Sequence, residues 1–142
     1  IVGLDQCHVY YAIDSDDNKL DVLLINAAKT SITHKIEIIE TDIVNETRLK
    51  NNSVDIGFCS YLLNEIQFEN QKSAIENCLC SIQTGGFLYL ADYIATQTTQ
   101  KMGIKYGLTA LQMTELLNSI PMIEIYKTVL RKYTQSYFIK KK

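Results

Sequence analysis

The sequence has no surplus of basic charge. Fourteen Lys and Arg stand against 16 Asp and Glu, leaving −2 over 142 residues. Without clustered cations there is no electrostatic reason to expect nucleic acid as a partner. The one basic run, Lys140-Lys141-Lys142, is read as a solvated terminus. No apolar run approaches the roughly 20 residues of a membrane span, and no signal peptide is recognised. No membrane partner is expected. The four cysteines, at 7, 59, 78 and 80, form no C-x-x-C pair, and His8 and His34 are far in sequence from Cys78 and Cys80. No metal site is therefore expected. Nothing suggests an oxidising compartment, so the expected localisation is cytoplasmic. Repeats, low-complexity stretches and linkers are also missing, which predicts a single domain over residues 1–142, large enough to bury a core.

What the chain does have is an alternation of strands and helices. Residues 8–13 read as a short apolar strand ending at Asp14, followed by the cap-rich Ser15-Asp16-Asp17-Asn18. Leu20, Leu23, Leu24, Ala27 and Ala28 then recur at helical spacing. Residues 36–40 form a second strand running into Thr41-Asp42-Ile43. Asn70 is the expected cap of a helix whose inner face is Ala74, Ile75, Cys78, Leu79 and Ile82, stopped by Gly85-Gly86. Cys78 is expected in the core. Residues 87–91 make the next strand, ending at Asp92-Tyr93. Residues 94–107 read as a loop or irregular helix. Thr109 and Gln112 make a capping box, with Leu108 and Met113 as its staple, and the helix runs to the single proline, Pro121. Residues 122–130 and 133–140, joined across Arg131-Lys132, close the chain as an antiparallel hairpin.

The stretch SVDIGFCSYLLNEI, residues 53–66, begins as a buried strand and then breaks into Cys59-Ser60-Tyr61 and Asn64-Glu65, with no Gly or Pro at the break to turn it. A strand that turns polar at its carboxyl end is what a ligand crevice requires. Strand-helix alternation predicts an α/β fold, a mainly parallel sheet with helices on both faces and the hairpin at its end. Ligands of such sheets sit beyond the carboxyl ends of the strands. There the sequence puts Asp14, Asp42, Cys59-Ser60-Tyr61 and Asp92-Tyr93.

Four pieces carry a resemblance. Residues 2–14 (VGLDQCHVYYAID) look like a helix end, a turn and a strand finishing in an acid. Residues 40–43 (ETDI) look like an acidic motif after the following strand. Residues 53–66 and residues 82–92 (IQTGGFLYLAD) complete the series. In this order they resemble a class I S-adenosylmethionine-dependent methyltransferase of the small-molecule type, with a Rossmann-like fold and a closing antiparallel strand. The resemblance covers essentially the whole chain. Two departures stand out. Many members have His where this chain has Asn64. The G-x-G-x-G loop that wraps the methionine part of the cofactor is missing, so the first strand and its loop are expected upstream of Ile1, and the domain is expected to be N-terminally incomplete.

The resemblance implies S-adenosylmethionine as cofactor and a small molecule as methyl acceptor. Asp14 takes the ribose hydroxyls, a task suited to a carboxylate with two acceptor oxygens; its other reading is a turn or cap acid before the helix. Ser15 is its neighbour at the site, or a cap. Asp42 accepts from the adenine amine while Ile43 packs on the ring; the other reading is an exposed loop acid. Cys59, Ser60 and Tyr61 line the sugar and methionine side. Cys59 is not expected as a nucleophile, since nothing in the sequence lowers its pKa. Asn64, Tyr93 and Tyr106, with Met102, face the acceptor or simply pack. Glu65 or Asp92 is a general base if the acceptor must lose a proton, or else a cap or ion-pair residue. Two other functions stay open: a methyltransferase-like binding or scaffold domain without activity, and a nicotinamide enzyme, which needs a G-x-G-x-x-G between first strand and helix. Oligomeric state is not legible.

Overall fold

The computed structural model describes residues 8–142; the expected helix end at Val2-Gly3 lies outside them. The chain divides into two compact units, Ile1–Arg48 and Leu49–Lys142.

In the first unit, β1 (Tyr10–Asp14) and β2 (Ile36–Glu40) pair in parallel, with Ala12 opposite Ile38 and Asp14 opposite Glu40. Helix α1 (Asp17–Ala28) is the crossover between them. It starts where expected: Asp16 is its N-cap and accepts from the Asn18 amide at 3.0 Å. Leu20 and Ala27 are its buried positions, one face of the helix as their spacing predicts.

In the second unit, four strands form one mixed sheet in the order β3-β4-β6-β5. Strand β3 (Val54–Ser60) runs parallel to β4 (Ile82–Tyr93). Strand β6 (Thr134–Lys141) is antiparallel to both β4 and β5 (Ile123–Leu130). The closing hairpin is thus as expected. Helix α2 (Phe68–Ser81) joins β3 to β4, and the short α3 (Gln97–Lys101) and α4 (Ala110–Asn118) lie between β4 and β5.

The sheet corrects the sequence reading in one respect. It is split, not mainly parallel: β1-β2 is one two-stranded sheet, and two of the three pairings in the other are antiparallel. Among the described residues no strand joins the two sheets. Among the described residues of the second unit, the helices pack on one face of the four-stranded sheet. Leu88, Leu90, Tyr137 and Ile139 form its buried face. Helix α2 packs against β4 and β3, while Gln135 Nε2 donates to Leu108 O at the start of α4 at 2.9 Å. On the opposite face Phe58 and Tyr126 are 69% and 68% exposed.

Three local expectations also change. Helix α2 begins at Phe68 with Gln67 as N-cap, so Asn70 is inside it. It ends at Ser81, before the glycines, where Ile82 turns extended and gives its N–H to Leu79 O, and Lys141 caps the same end. Lys141 Nζ donates to Leu79 O and Ile82 O at 2.8 Å each, and to Asn52 Oδ1 at 2.9 Å. The basic tail is therefore not merely solvated. Gly85 and Gly86 serve β4 instead, where its register against β3 jumps between Val54 and Ile56. Gly85 takes φ +83°, and a Cβ on Gly86 would lie 2.6 Å from Asp55 O. The capping box of α4 forms as expected: Thr109 accepts from the Gln112 amide and Gln112 from the Thr109 amide. Its staple residues Leu108 and Met113 are both buried, and the helix stops at Asn118, short of Pro121.

Candidate functional site

Each unit presents polar residues at the carboxyl ends of parallel strands. In the first, the Asp14 carbonyl accepts from the Thr41 amide at 3.0 Å, which extends the β1-β2 pairing just past the strand ends. Asp14 Oδ1 accepts from the Asp16 amide at 3.0 Å. That closes a turn and feeds the chain into α1. Its second oxygen takes no hydrogen bond among the described residues. Asp42 repeats the device, with Oδ1 accepting from the Val44 amide at 2.9 Å. So the turn-acid reading of both residues describes their local geometry, and each keeps acceptor capacity to spare. A hollow of about 280 Å³ lies at Asp42, lined by Ser15, Glu40, Thr41, Asp42, Asn45, Glu46 and Arg48; Asp14 is not part of its lining. Ile43, next to Asp42, is half-buried.

In the second unit the break in residues 53–66 has a definite form. Strand β3 ends at Ser60, and the Tyr61 amide makes one last bond to Ala91 O at 2.8 Å. Tyr61 itself then turns the chain, at φ +56°. A tyrosine in that left-handed region is strained by about 1 kcal/mol, and no glycine relieves it. Its ring packs on Tyr93 with centroids 4.8 Å apart. A short 3-10 turn over Leu63–Glu65 follows.

That turn is locked to the end of β4. Asn64 donates its backbone N–H to Asp92 Oδ2 at 3.1 Å and its side-chain amide to Oδ1 at 2.8 Å. The Tyr93 amide donates to the same Oδ1 at 2.7 Å. Burial pushes the Asp92 carboxyl above its ordinary value, and these three donors oppose that rise. With both oxygens engaged, Asp92 holds the strand end in shape. Glu65, the other base candidate, is exposed.

Gln71, on α2 and fully buried, ties in the third segment. Its Nε2 shares two hydrogens among three carbonyls, Leu63 O at 2.9 Å, Ile66 O at 3.1 Å and Tyr106 O at 2.8 Å. The Tyr106 amide in turn reaches Asn64 O at 3.4 Å, and the Tyr106 ring meets Phe68 edge-on. Asn64, Asp92, Tyr93 and Tyr106 are thus brought together with Tyr61, while Met102 is 60% exposed. Sequence reasoning missed Gln71, a polar residue on the inner side of an otherwise apolar helix face.

Cys59 is buried on β3, and the Cys78 thiol is its neighbour. That contact, with burial, pushes the Cys59 thiol well up, and the same contact lowers Cys78. Cys59 is therefore held as a protonated, packed thiol. Ser60 is exposed beside it. Among the described residues no helix is long and apolar enough to cross a membrane.

No protein-family model matches this sequence, and neither does any curated protein. Solved structures do. A SAM-dependent methyltransferase from Aquifex aeolicus superposes with TM-score 0.76 over 92% of this chain and 68% of its own, at 16% identity. The mitomycin 7-O-methyltransferase MmcR gives 0.75 over 93% of this chain and 41% of its own, at 8% identity. PigF, solved with SAH, gives 0.70 over 99% and 44%, at 10% identity. The chain therefore has the α/β fold of SAM-dependent methyltransferases, small-molecule O-methyltransferases among them, and spans well under half the length of the latter two. At these identities the likeness is one of fold.

Proposed function

We propose that this chain serves S-adenosylmethionine-dependent methyl transfer to a small-molecule acceptor, in the cytoplasm. The observation that carries the reading is the pair Asp14 and Asp42 at the carboxyl ends of adjacent parallel strands in a methyltransferase fold. Among the described residues Asp14 keeps one oxygen uncommitted, open to ribose hydroxyls, and Asp42 is exposed beside the apolar Ile43, a combination that suits a purine amine and ring face. Ser15 lines the same hollow as Asp42. These residues fit the adenosine end of the cofactor. The resemblance assigns Ser60, Tyr61 and the backbone of Cys59, whose thiol is packed inward beside Cys78, to the sugar and methionine side.

The cofactor, when bound, supplies an activated methyl group on a sulfonium. The chain's own work is to orient the acceptor and exclude water. Tyr61, Tyr93 and Tyr106 offer ring faces for that, on a backbone fixed by Asn64, Asp92 and Gln71. Asp92 is then a positioning residue. Glu65 is the remaining carboxylate for an acceptor that must lose a proton.

The test is calorimetry of the full-length protein with S-adenosylhomocysteine. The expected dissociation constant is on the order of micromolar, weakened about tenfold or more by Asp14→Ala. Absence of any binding overturns the reading, and unchanged affinity in Asp14→Ala removes Asp14 from it.

A further inference from the structure

The seam between β3 and α2 holds two cysteine thiols side by side. Side chains alternate between faces along a strand. Phe58 and Ser60 are exposed, and Cys59 between them is the buried residue of β3. On α2 the buried residues Gln71, Ala74, Ile75 and Leu79 mark the inner face. Cys78 follows Ala74 by one helical turn and so shares that face. Helix and strand pack together, and the Cys78 thiol is the neighbour of Cys59. Cys80, two positions further along the helix, points away from β3 and is exposed.

The proposed methyl transfer uses neither thiol, and small apolar side chains would fill the seam as well. The two thiols are also unequal. Contact with Cys59 lowers the Cys78 thiol, while the same contact and burial raise Cys59. Cys78 is half-buried, not sealed, so the thiol that ionises first is the one nearer to a small oxidant. Cys59 stands against it, protonated and in reach of its sulfur. An attacking thiolate beside a resolving thiol is the arrangement of a reversible redox pair.

We propose that Cys59 and Cys78 are a redox switch beneath the candidate site, joined as a disulfide by hydrogen peroxide and reopened by a dithiol. The Cys78 thiolate attacks a peroxide oxygen and becomes a sulfenic acid as hydroxide leaves. The Cys59 sulfur then displaces the hydroxyl from Cys78, and the Cys59 proton leaves with that hydroxyl as water. The two thiols give up their hydrogens, and the peroxide ends as water. A dithiol reverses the change and is itself oxidised to a disulfide. The new bond draws Cys59 from non-bonded contact toward α2. Ser60 and Tyr61 follow directly, and Tyr61 already sits at φ +56°, so the end of β3 takes up the shift. Oxidation therefore loosens the turn on which the site is built. The effect on cofactor binding rests on the methyl-transfer reading; the bond itself does not.

The experiment treats the reduced full-length protein with dilute hydrogen peroxide, blocks the remaining thiols with N-ethylmaleimide and maps the peptides by mass spectrometry. The peptides holding Cys59 and Cys78 are expected to be joined, and dithiothreitol to separate them. The Tyr61 amide, bonded to Ala91 O at 2.8 Å, should exchange about fivefold or more faster in the oxidised protein. S-adenosylhomocysteine should bind it about fivefold or more weakly, with dithiothreitol restoring the affinity. Cys80→Ser keeps the bond and both effects, and Cys78→Ala loses all three. A map with Cys59 and Cys78 free, or with either joined to another cysteine instead, overturns the inference. So does a bond between them that leaves both the Tyr61 exchange and the affinity as they were. If the reduced protein does not bind S-adenosylhomocysteine, the methyl-transfer reading fails, and the peptide map and the Tyr61 exchange still decide the switch.

Discussion

Asp92, at the end of β4, holds Asn64 by two hydrogen bonds at once, one from its backbone N–H at 3.1 Å and one from its side-chain amide at 2.8 Å. The two residues are 28 positions apart, and both are buried. Asp92→Ala leaves three N–H groups without an acceptor, those of Asn64 and the Tyr93 amide. The expected loss is about 2–4 kcal/mol, read as a lower midpoint in urea denaturation. A loss under about 0.5 kcal/mol, the scale of ordinary surface changes, means that water replaces the carboxylate and that the lock is weak.

The same carboxylate predicts a pH dependence. Burial raises the Asp92 pKa in the folded protein, more than its donors lower it. The folded state then holds this proton to higher pH than the unfolded state does. The stabilisation from protonation is complete below the ordinary carboxylate value of about 3.9 and is lost as pH rises through the raised folded value. Asp92→Asn cannot titrate. The stability of the natural protein minus that of Asp92→Asn should therefore fall as pH rises out of the acid range, then level off. A difference that grows with pH over that window means that the three donors outweigh burial.

Gln71 organises the backbone of two segments from within α2. Gln71→Leu keeps most of the volume but removes the donor from the Leu63, Ile66 and Tyr106 carbonyls. A cost of about 2–3 kcal/mol follows from leaving buried acceptors unpaired. Amide exchange at Tyr106, whose N–H reaches Asn64 O, should quicken by more than the global loss of stability explains. Exchange that follows global stability alone shows that residues 63–66 and 106 are held by other contacts.

What the sequence shows of this fold depends on how far apart the interacting residues lie. Thr109 and Gln112 sit three positions apart, so their capping box is readable directly. The closing hairpin and the acids at strand ends are equally local signals. The Gln71–Tyr106 and Lys141–Leu79 bonds span 35 and 62 positions, and nothing in a local pattern announces them. Gly85-Gly86 suits a helix stop as well as a strand irregularity, because glycine serves both; only the register against Asp55 decides between them. Tyr61 is the instructive case. The absence of glycine after β3 is visible in the sequence, but that a tyrosine takes φ +56° in its place is not. The split sheet was equally out of reach, because strand and helix signals give the order of elements and not which strands pair.

Lys141 tests the tail. Its Nζ caps Leu79 O and Ile82 O at the end of α2, where the helix has no basic residue of its own in the last turn. Lys141→Met keeps the aliphatic stem and removes the donor. The expected cost is about 1–2 kcal/mol, since charge-assisted bonds to carbonyls exceed neutral ones. Lys142→Met serves as the control, because its backbone N–H bond to Met122 O at 2.8 Å survives the substitution. Equal effects of the two changes show that net charge, not capping, sets the loss.

The two adjacent glycines separate backbone conformation from close approach. Gly85 sits at φ +83° with nothing within 4 Å of a built Cβ, so Gly85→Ala costs the left-handed penalty alone, about 1 kcal/mol. At Gly86 an added Cβ meets Asp55 O at 2.6 Å and Ile82 Cγ2 at 2.7 Å. The first contact is backbone, and Ile82 is itself fully buried, so neither neighbour can swing away. Gly86→Ala must therefore push β4 off β3 at the register jump, with an expected cost of about 2–4 kcal/mol. Urea midpoints of the two variants, compared at equal slope, decide the matter. A larger loss at Gly85 than at Gly86 means that the chain can open at Asp55 more cheaply than it can give up a left-handed residue, and that the β3-β4 junction is softer than its packing implies.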